Sequence, residues 1–140
     1  MAGKNGKQQP NWKIPPSRIP SDDCVVHIDR VVEDGEIIDE GIAYHVHKGE
    51  WVELMPARTL AEVMALSDIA ASASAGASLR TLCAELSKRV VAWDWTGMDS
   101  EPLPQPYHSP DVLEQLTDDE VMWLLGAVKG KETVEVRKNG

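Results

Sequence analysis

The apolar positions of this chain change their spacing once, near residue 57. Before that point they come in short clusters rich in β-branched residues: "CVVHIDRVV" (24–32), "EIIDEGIAY" (36–44) and "WVELM" (51–55). Runs of this kind between turn residues predict strands. "EDGE" (33–36) supplies a glycine turn, Gly41 a candidate bulge and "KGE" (48–50) a tight turn. The expected arrangement is a meander of three short antiparallel strands, which needs cover on one face to be stable.

Past residue 57 the spacing becomes helical. Thr59 and Glu62 stand at capping-box spacing, and Leu60, Val63, Met64, Leu66 and Ile69 follow as a stripe. "AASASAGAS" with Gly76 predicts an end or a kink. Leu79, Leu82, Cys83, Leu86 and Val90 then recur at i, i+3, i+4, i+7 and i+11, an amphipathic helix. Ser109 before Pro110 predicts the start of a short helix running through Leu116. Thr117 and Glu120 form a second capping-box match ahead of "VMWLLGAVKG", with Gly130 as the stop. Strands first and helices after predict one α+β domain over residues 23–130, a small antiparallel β-meander followed by a helical part.

The flanks differ from this body. Residues 1–22 show no periodicity, and Pro10, Pro15, Pro16 and Pro20 favour an extended N-terminal arm. Trp12, Ile14 and Ile19 are apolar points along it, which a solvated tail does not need and a docking arm would use as anchors. Residues 131–140 form a short polar tail in which "TVEV" could pair as an edge strand. Between two predicted helices lies "WDWTGMDSEPLPQPYHSP" (93–110), where Pro102, Pro104 and Pro106 exclude a helix. Trp93 and Trp95 in an extended segment face one side, either as core or as anchors for a partner; Trp123 is a further partner anchor on the last helix.

Charge narrows the partners. The net charge is −9, yet residues 1–21 hold Lys4, Lys7, Lys13 and Arg18 and no acidic residue. An acidic body argues against nucleic acid as a partner. The basic arm suits an acidic surface, including that of a neighbouring copy. No apolar run reaches the roughly 18–20 residues that span a bilayer, and the N-terminus lacks the apolar core of a secretory signal. Two distant cysteines, Cys24 and Cys83, give neither a disulfide framework nor zinc-ligand spacing.

Candidate chemistry is sparse. In "YHVHKGE", His45 and His47 would share one face of a strand, with Glu50 nearby, and could offer imidazole and carboxylate ligands to a metal. Gly41, His45, His47 and Glu50 partly echo the cupin pattern, but the spacings are too short and too few strands follow for a barrel. An interface or solvent-facing histidine pair is the simpler expectation. His27 and His108 belong to no nucleophile motif, and there is no G-x-S-x-G elbow and no phosphate-binding glycine loop. The acids of "TDDE" (117–120) are explained by helix capping. The expectation is a protein that is not an enzyme and carries no cofactor.

The segment "LSKRVVAWDWTGMDSEPLPQPYHSPDVLEQLTDDEVMWLLGAV" resembles the C-terminal portion of small tailed-bacteriophage morphogenesis proteins, above all tail assembly chaperones. The matching positions are Val90, Val91, Trp93, Thr96, Pro102, Leu103, Pro104, Pro110, Leu113, Leu116, Leu124 and Leu125. "GEWVELMPARTLAEVMAL" is similar to their strand-then-helix opening, so the resemblance spans roughly residues 48–128. The arm and the strands at 24–47 are longer than that pattern. The resemblance implies an assembly protein of the host cytoplasm that keeps a tape-measure or tail-tube protein soluble. The arm suggests the alternative, a head-decoration, neck or tail component of the virion that clamps capsid or tail neighbours.

Overall fold

The computed structural model describes residues 13–71 and 76–130. Trp12 and the "TVEV" segment lie outside the described residues. Seven strands and four helices follow in the order β1 (Ser17–Pro20), β2 (Val26–Ile28), β3 (Val31–Glu33), β4 (Glu36–Asp39), β5 (Ile42–Tyr44), β6 (Trp51–Leu54), α1 (Leu60–Ala71), α2 (Gly76–Ser87), β7 (Val90–Trp93), α3 (Pro110–Leu113) and α4 (Asp118–Lys129). This is an α+β fold, with antiparallel strands and helices both present.

The wiring of the strands departs from a sequential meander. β6 is the centre of a three-stranded antiparallel sheet in the order β1-β6-β7. Ser17 pairs with Leu54 and Pro20 with Trp51, so the last residues of the stretch read as an arm are an edge strand of the main sheet. On the other side Val52 pairs with Trp93 and Leu54 with Val90. Strands β2 to β5 form a separate ribbon: Val26 to Ile28 pair with Tyr44 to Ile42, and Val31 to Glu33 with Asp39 to Glu36. The separation follows from burial. Val52 and Leu54 alternate inward under the helices, whereas β3, β4 and β5 are exposed at every position.

The core lies between the three-stranded sheet and the helices. Val52, Leu54, Val90, Trp93 and Trp95 meet Leu66 of α1, Leu82 and Leu86 of α2, Leu113 of α3, and Val121, Leu124, Leu125 and Val128 of α4. Burial of this apolar surface is the main driving force for the fold. Helix α1 opens on the expected capping box: the Thr59 N–H donates to Glu62 Oε1 and the Glu62 N–H to Thr59 Oγ1, each at 3.2 Å. Its stripe is only half used, for Leu66 is buried while Leu60 and Met64 face solvent. Helix α4 has a complete capping box at Thr117 and Glu120 and ends on Gly130 in the left-handed conformation. Ser109 stands at the N-cap of α3 without capping it; its hydroxyl donates to the Tyr107 carbonyl, and Pro110 alone marks the start.

The proline strip has a structural task. It runs along the outer edge of β7, with Thr96 bridged to Pro102 and the Leu103 N–H donating to the Trp95 carbonyl at 3.0 Å. Gln105 replaces a strand neighbour: its side-chain oxygen accepts from the Trp93 N–H at 3.2 Å and its amide donates to the Trp93 carbonyl at 3.0 Å. The Trp93 indole N–H donates to the Pro104 carbonyl. A strip rich in proline covers the edge and cannot itself extend the sheet.

Candidate functional site

The ribbon and the polar cluster at its base are built by one loop. β5 ends at Tyr44, and residues 46–49 turn back toward the main sheet. The turn is held by the Glu50 N–H donating to the His47 carbonyl at 3.0 Å and the Gly49 N–H to Asp22 Oδ1 at 2.7 Å. Because these residues are not in a strand, His45 and His47 part company, which corrects the expected histidine pair. His45 is exposed, its Nδ1 2.9 Å from the Asp22 carbonyl. His47 is 1% exposed and points into the core.

Both ring nitrogens of His47 are engaged. Its Nδ1 lies 2.7 Å from Glu50 Oε1 and its Nε2 2.5 Å from Glu120 Oε2. Its ring stacks on Trp95, centroids 3.7 Å apart. Glu50 in turn accepts from the Thr96 hydroxyl at 2.7 Å and from the Thr96 N–H. Glu120 accepts from the Thr117 N–H at 2.8 Å and hydroxyl at 2.9 Å. The two carboxylate–imidazole contacts need two protons between them, since carboxylate and bare ring nitrogen are both acceptors. Burial pushes the Glu120 carboxyl up, but the bonds from His47 and Thr117 outweigh it and hold the group below its ordinary value.

This cluster ties the Glu50 loop to α4 and leaves neither ring nitrogen as an open ligand. Among the described residues no group of three His, Cys, Asp or Glu side chains is arranged to hold a metal ion. Trp95 is fully buried and Trp93 nearly so, the two rings stacked at 4.7 Å. Trp95 also donates from its indole N–H to the Ser21 hydroxyl at 2.9 Å. Of the two roles the sequence left open for Trp93 and Trp95, the structure has them in the core. Trp123 is half-buried, 6.0 Å from the Trp95 ring, with its N–H on Asp23. Ile14 is 52% exposed.

Seven of the exposed large apolar side chains lie together on the ribbon, a residue set that the sequence reading assigned to a covered sheet. Ile28, Val31, Val32, Ile37, Ile38, Ile42 and Tyr44 are all exposed, between 43% and 59%. Asp34 and Gly35, both at positive φ, close the tip as a two-residue turn. At mid-ribbon Gly41 has φ +74 and sits where a Cβ would come 2.1 Å from the Ile28 carbonyl oxygen. At the root, Asp119 on α4 accepts from the His27 N–H at 2.8 Å and faces the Arg30 guanidinium at 3.8 Å. Alternation alone could not locate this patch, because it does not show whether another element covers either face.

A hollow of about 250 Å³ lies between α2, α3 and α4, lined by Leu79, Cys83, Leu113, Val121 and Met122 with Arg80, Glu114 and Asp118 also on its wall. It falls below the roughly 300 Å³ of ordinary small-molecule sites. Burial, with a smaller push from the Glu114 charge, raises the Cys83 thiol there, the opposite of an activated nucleophile. No described helix is long and apolar enough to cross a membrane. Comparison with family models, with curated proteins and with solved structures returns no match.

Proposed function

We propose that this chain is a non-enzymatic assembly protein that acts by binding another protein, and that the β2–β5 ribbon is its principal contact. One observation carries the reading: seven large apolar side chains are exposed on a ribbon whose strands β3, β4 and β5 are exposed at every position. A two-stranded ribbon is marginal in water by itself, and an apolar patch rimmed by charge is the usual mark of a protein interface. The body that carries it is rigidly specified, with two capping boxes and a sealed sheet edge.

The resemblance of residues 48–128 to tail assembly chaperones supplies the partner class, a tape-measure or tail-tube protein bound in the host cytoplasm. The ribbon lies outside that stretch and would be this chain's own addition. Co-expression with the tape-measure protein is the test. The wild-type chain should raise its soluble fraction, and Val32→Lys with Ile38→Lys should abolish the effect while leaving the fold intact. A tape-measure protein equally soluble with and without the chain overturns the chaperone reading.

The exposed Ile14, at the foot of a basic segment, favours the second reading, a virion component that clamps its neighbours. Mass spectrometry of purified particles separates the two. A stoichiometric amount in the particle supports the clamp, and absence supports the chaperone.

A further inference from the structure

The ribbon is acidic as well as apolar. Between Val26 and Tyr44 stand Asp29, Glu33, Asp34, Glu36, Asp39 and Glu40, against Arg30 alone. The N-terminal stretch is basic and free of acids, with Lys4, Lys7 and Lys13 interleaved with Trp12 and Ile14. The two segments are complementary in charge, and both offer apolar side chains between the charges. We propose that the ribbon of one copy receives residues 1–14 of a second copy, joining chains head to tail. This rests on the reading of the ribbon as a binding surface and names a first occupant for it.

The described start of the arm points away from the ribbon of its own chain, which fits a second copy as the receiver. Helix α4 measures the separation. Asp119 in its first turn holds the ribbon root at His27. Its C-terminal Val128 accepts from the Ala57 N–H. Arg58, next in the chain, donates to the Pro15 carbonyl at 3.5 Å. The arm therefore leaves the body at one end of α4 and the ribbon at the other, about 14 Å apart along the axis at 1.5 Å per residue. β1 gives the same answer, because its Pro20 end leads to the ribbon and its Ser17 end to the arm. Pro15 and Pro16 favour continued extension away from the ribbon. A donor end and an acceptor end on opposite sides make a heterologous contact, which generates rings or open filaments. The ribbon has two faces and two edges, so a 14-residue segment leaves room on it for a larger partner.

The test uses full-length chains carrying one new cysteine each, Lys7→Cys or Ile38→Cys, mixed with a thiol cross-linker; native Cys24 and Cys83 are buried. A cross-linked pair containing both variants is expected. Sedimentation of the wild type should show self-association that weakens by about tenfold or more between roughly 0.05 and 0.5 M salt. Lys4, Lys7 and Lys13 changed together to Glu should abolish it. A double variant that cross-links only within its own chain overturns the second-copy assignment, as does a mixture that gives no mixed pair. If the chain is monomeric but Ile38→Lys still destroys tape-measure binding, the exchange fails and the ribbon's binding role stands.

Discussion

The imidazole of His47 lies on the indole of Trp95, ring centroids 3.7 Å apart and planes 11° from parallel. Through that stack the loop after the ribbon is fixed to the segment that follows β7. The same imidazole bridges Glu50 to Glu120 on α4. Three parts of the chain distant in sequence are thereby held at one buried point.

Removing the bridge should cost more than any single surface contact. His47→Ala leaves Glu50 and Glu120 facing each other across a cavity, half-buried and buried respectively. Breaking one partner out of a buried ionic cluster costs about 3–5 kcal/mol. Urea unfolding monitored by tryptophan fluorescence should show a loss of that order. A loss below about 1 kcal/mol would mean the cluster contributes little.

Acid should weaken the same point. Glu120 has a folded pKa below its ordinary value of 4.5, with burial opposed and outweighed by the His47 and Thr117 bonds. A depressed folded pKa contributes stability that is complete above the unfolded value and is lost as pH falls through the folded one. Stability should therefore decline below about pH 4.5, and Glu120→Gln should be less stable at pH 7 with a shallower acid decline. Equal slopes for the two proteins would remove Glu120 from the account.

Gly41 is required by backbone geometry. With φ +74 and an added Cβ 2.1 Å from the Ile28 carbonyl oxygen, Gly41→Ala cannot keep the ribbon as it stands. The strain should disrupt pairing of Ile28 with Ile42 while the core unfolds nearly as before. Backbone amide spectra should move at residues 26–44 and stay in place at Leu82, Leu86 and Leu124. Unmoved ribbon resonances would show that the turn absorbs the methyl group.

Gln105→Ala should open the edge of β7. The Trp93 N–H and carbonyl both lose a partner, at roughly 1–3 kcal/mol for buried groups left unsatisfied. Light scattering should also show greater aggregation than the wild type, because an uncovered strand edge can pair with another chain. Gln105→Glu keeps an acceptor for the N–H and loses the donor, so it should fall between the two.

Much of the fold was legible locally. The capping boxes at Thr59 and Thr117, the Gly130 stop and the Asp34–Gly35 turn are short-range devices, and each forms as its residues dictate. The strands between residues 24 and 55 were legible too, since β-branched clusters persist whichever neighbour they pair with, whereas β1 was read as arm and Val90 of β7 as helix. Partner choice among strands was not legible. β6 pairs with β1 and β7, and pairing of that range depends on which faces the helices cover. His45 and His47 misled because alternation applies only inside a strand, and β5 stops at Tyr44.

The sequence by itself determined the α+β class, the caps at Thr59 and Thr117, the Gly130 stop, and the acidic body with its basic N-terminal stretch. Tertiary structure alone decided that Trp93 and Trp95 are core, that "PLPQP" seals a sheet edge, that His47 joins two carboxylates, and that the isoleucines of the ribbon stand in solvent. Caps, turns and propensities act over a few residues and are written where they act. Burial is a property of what lies opposite, and for the rings of Trp93 and Trp95 what lies opposite comes from Trp123 of α4, His47 of the loop before Glu50 and Pro104 of the proline strip.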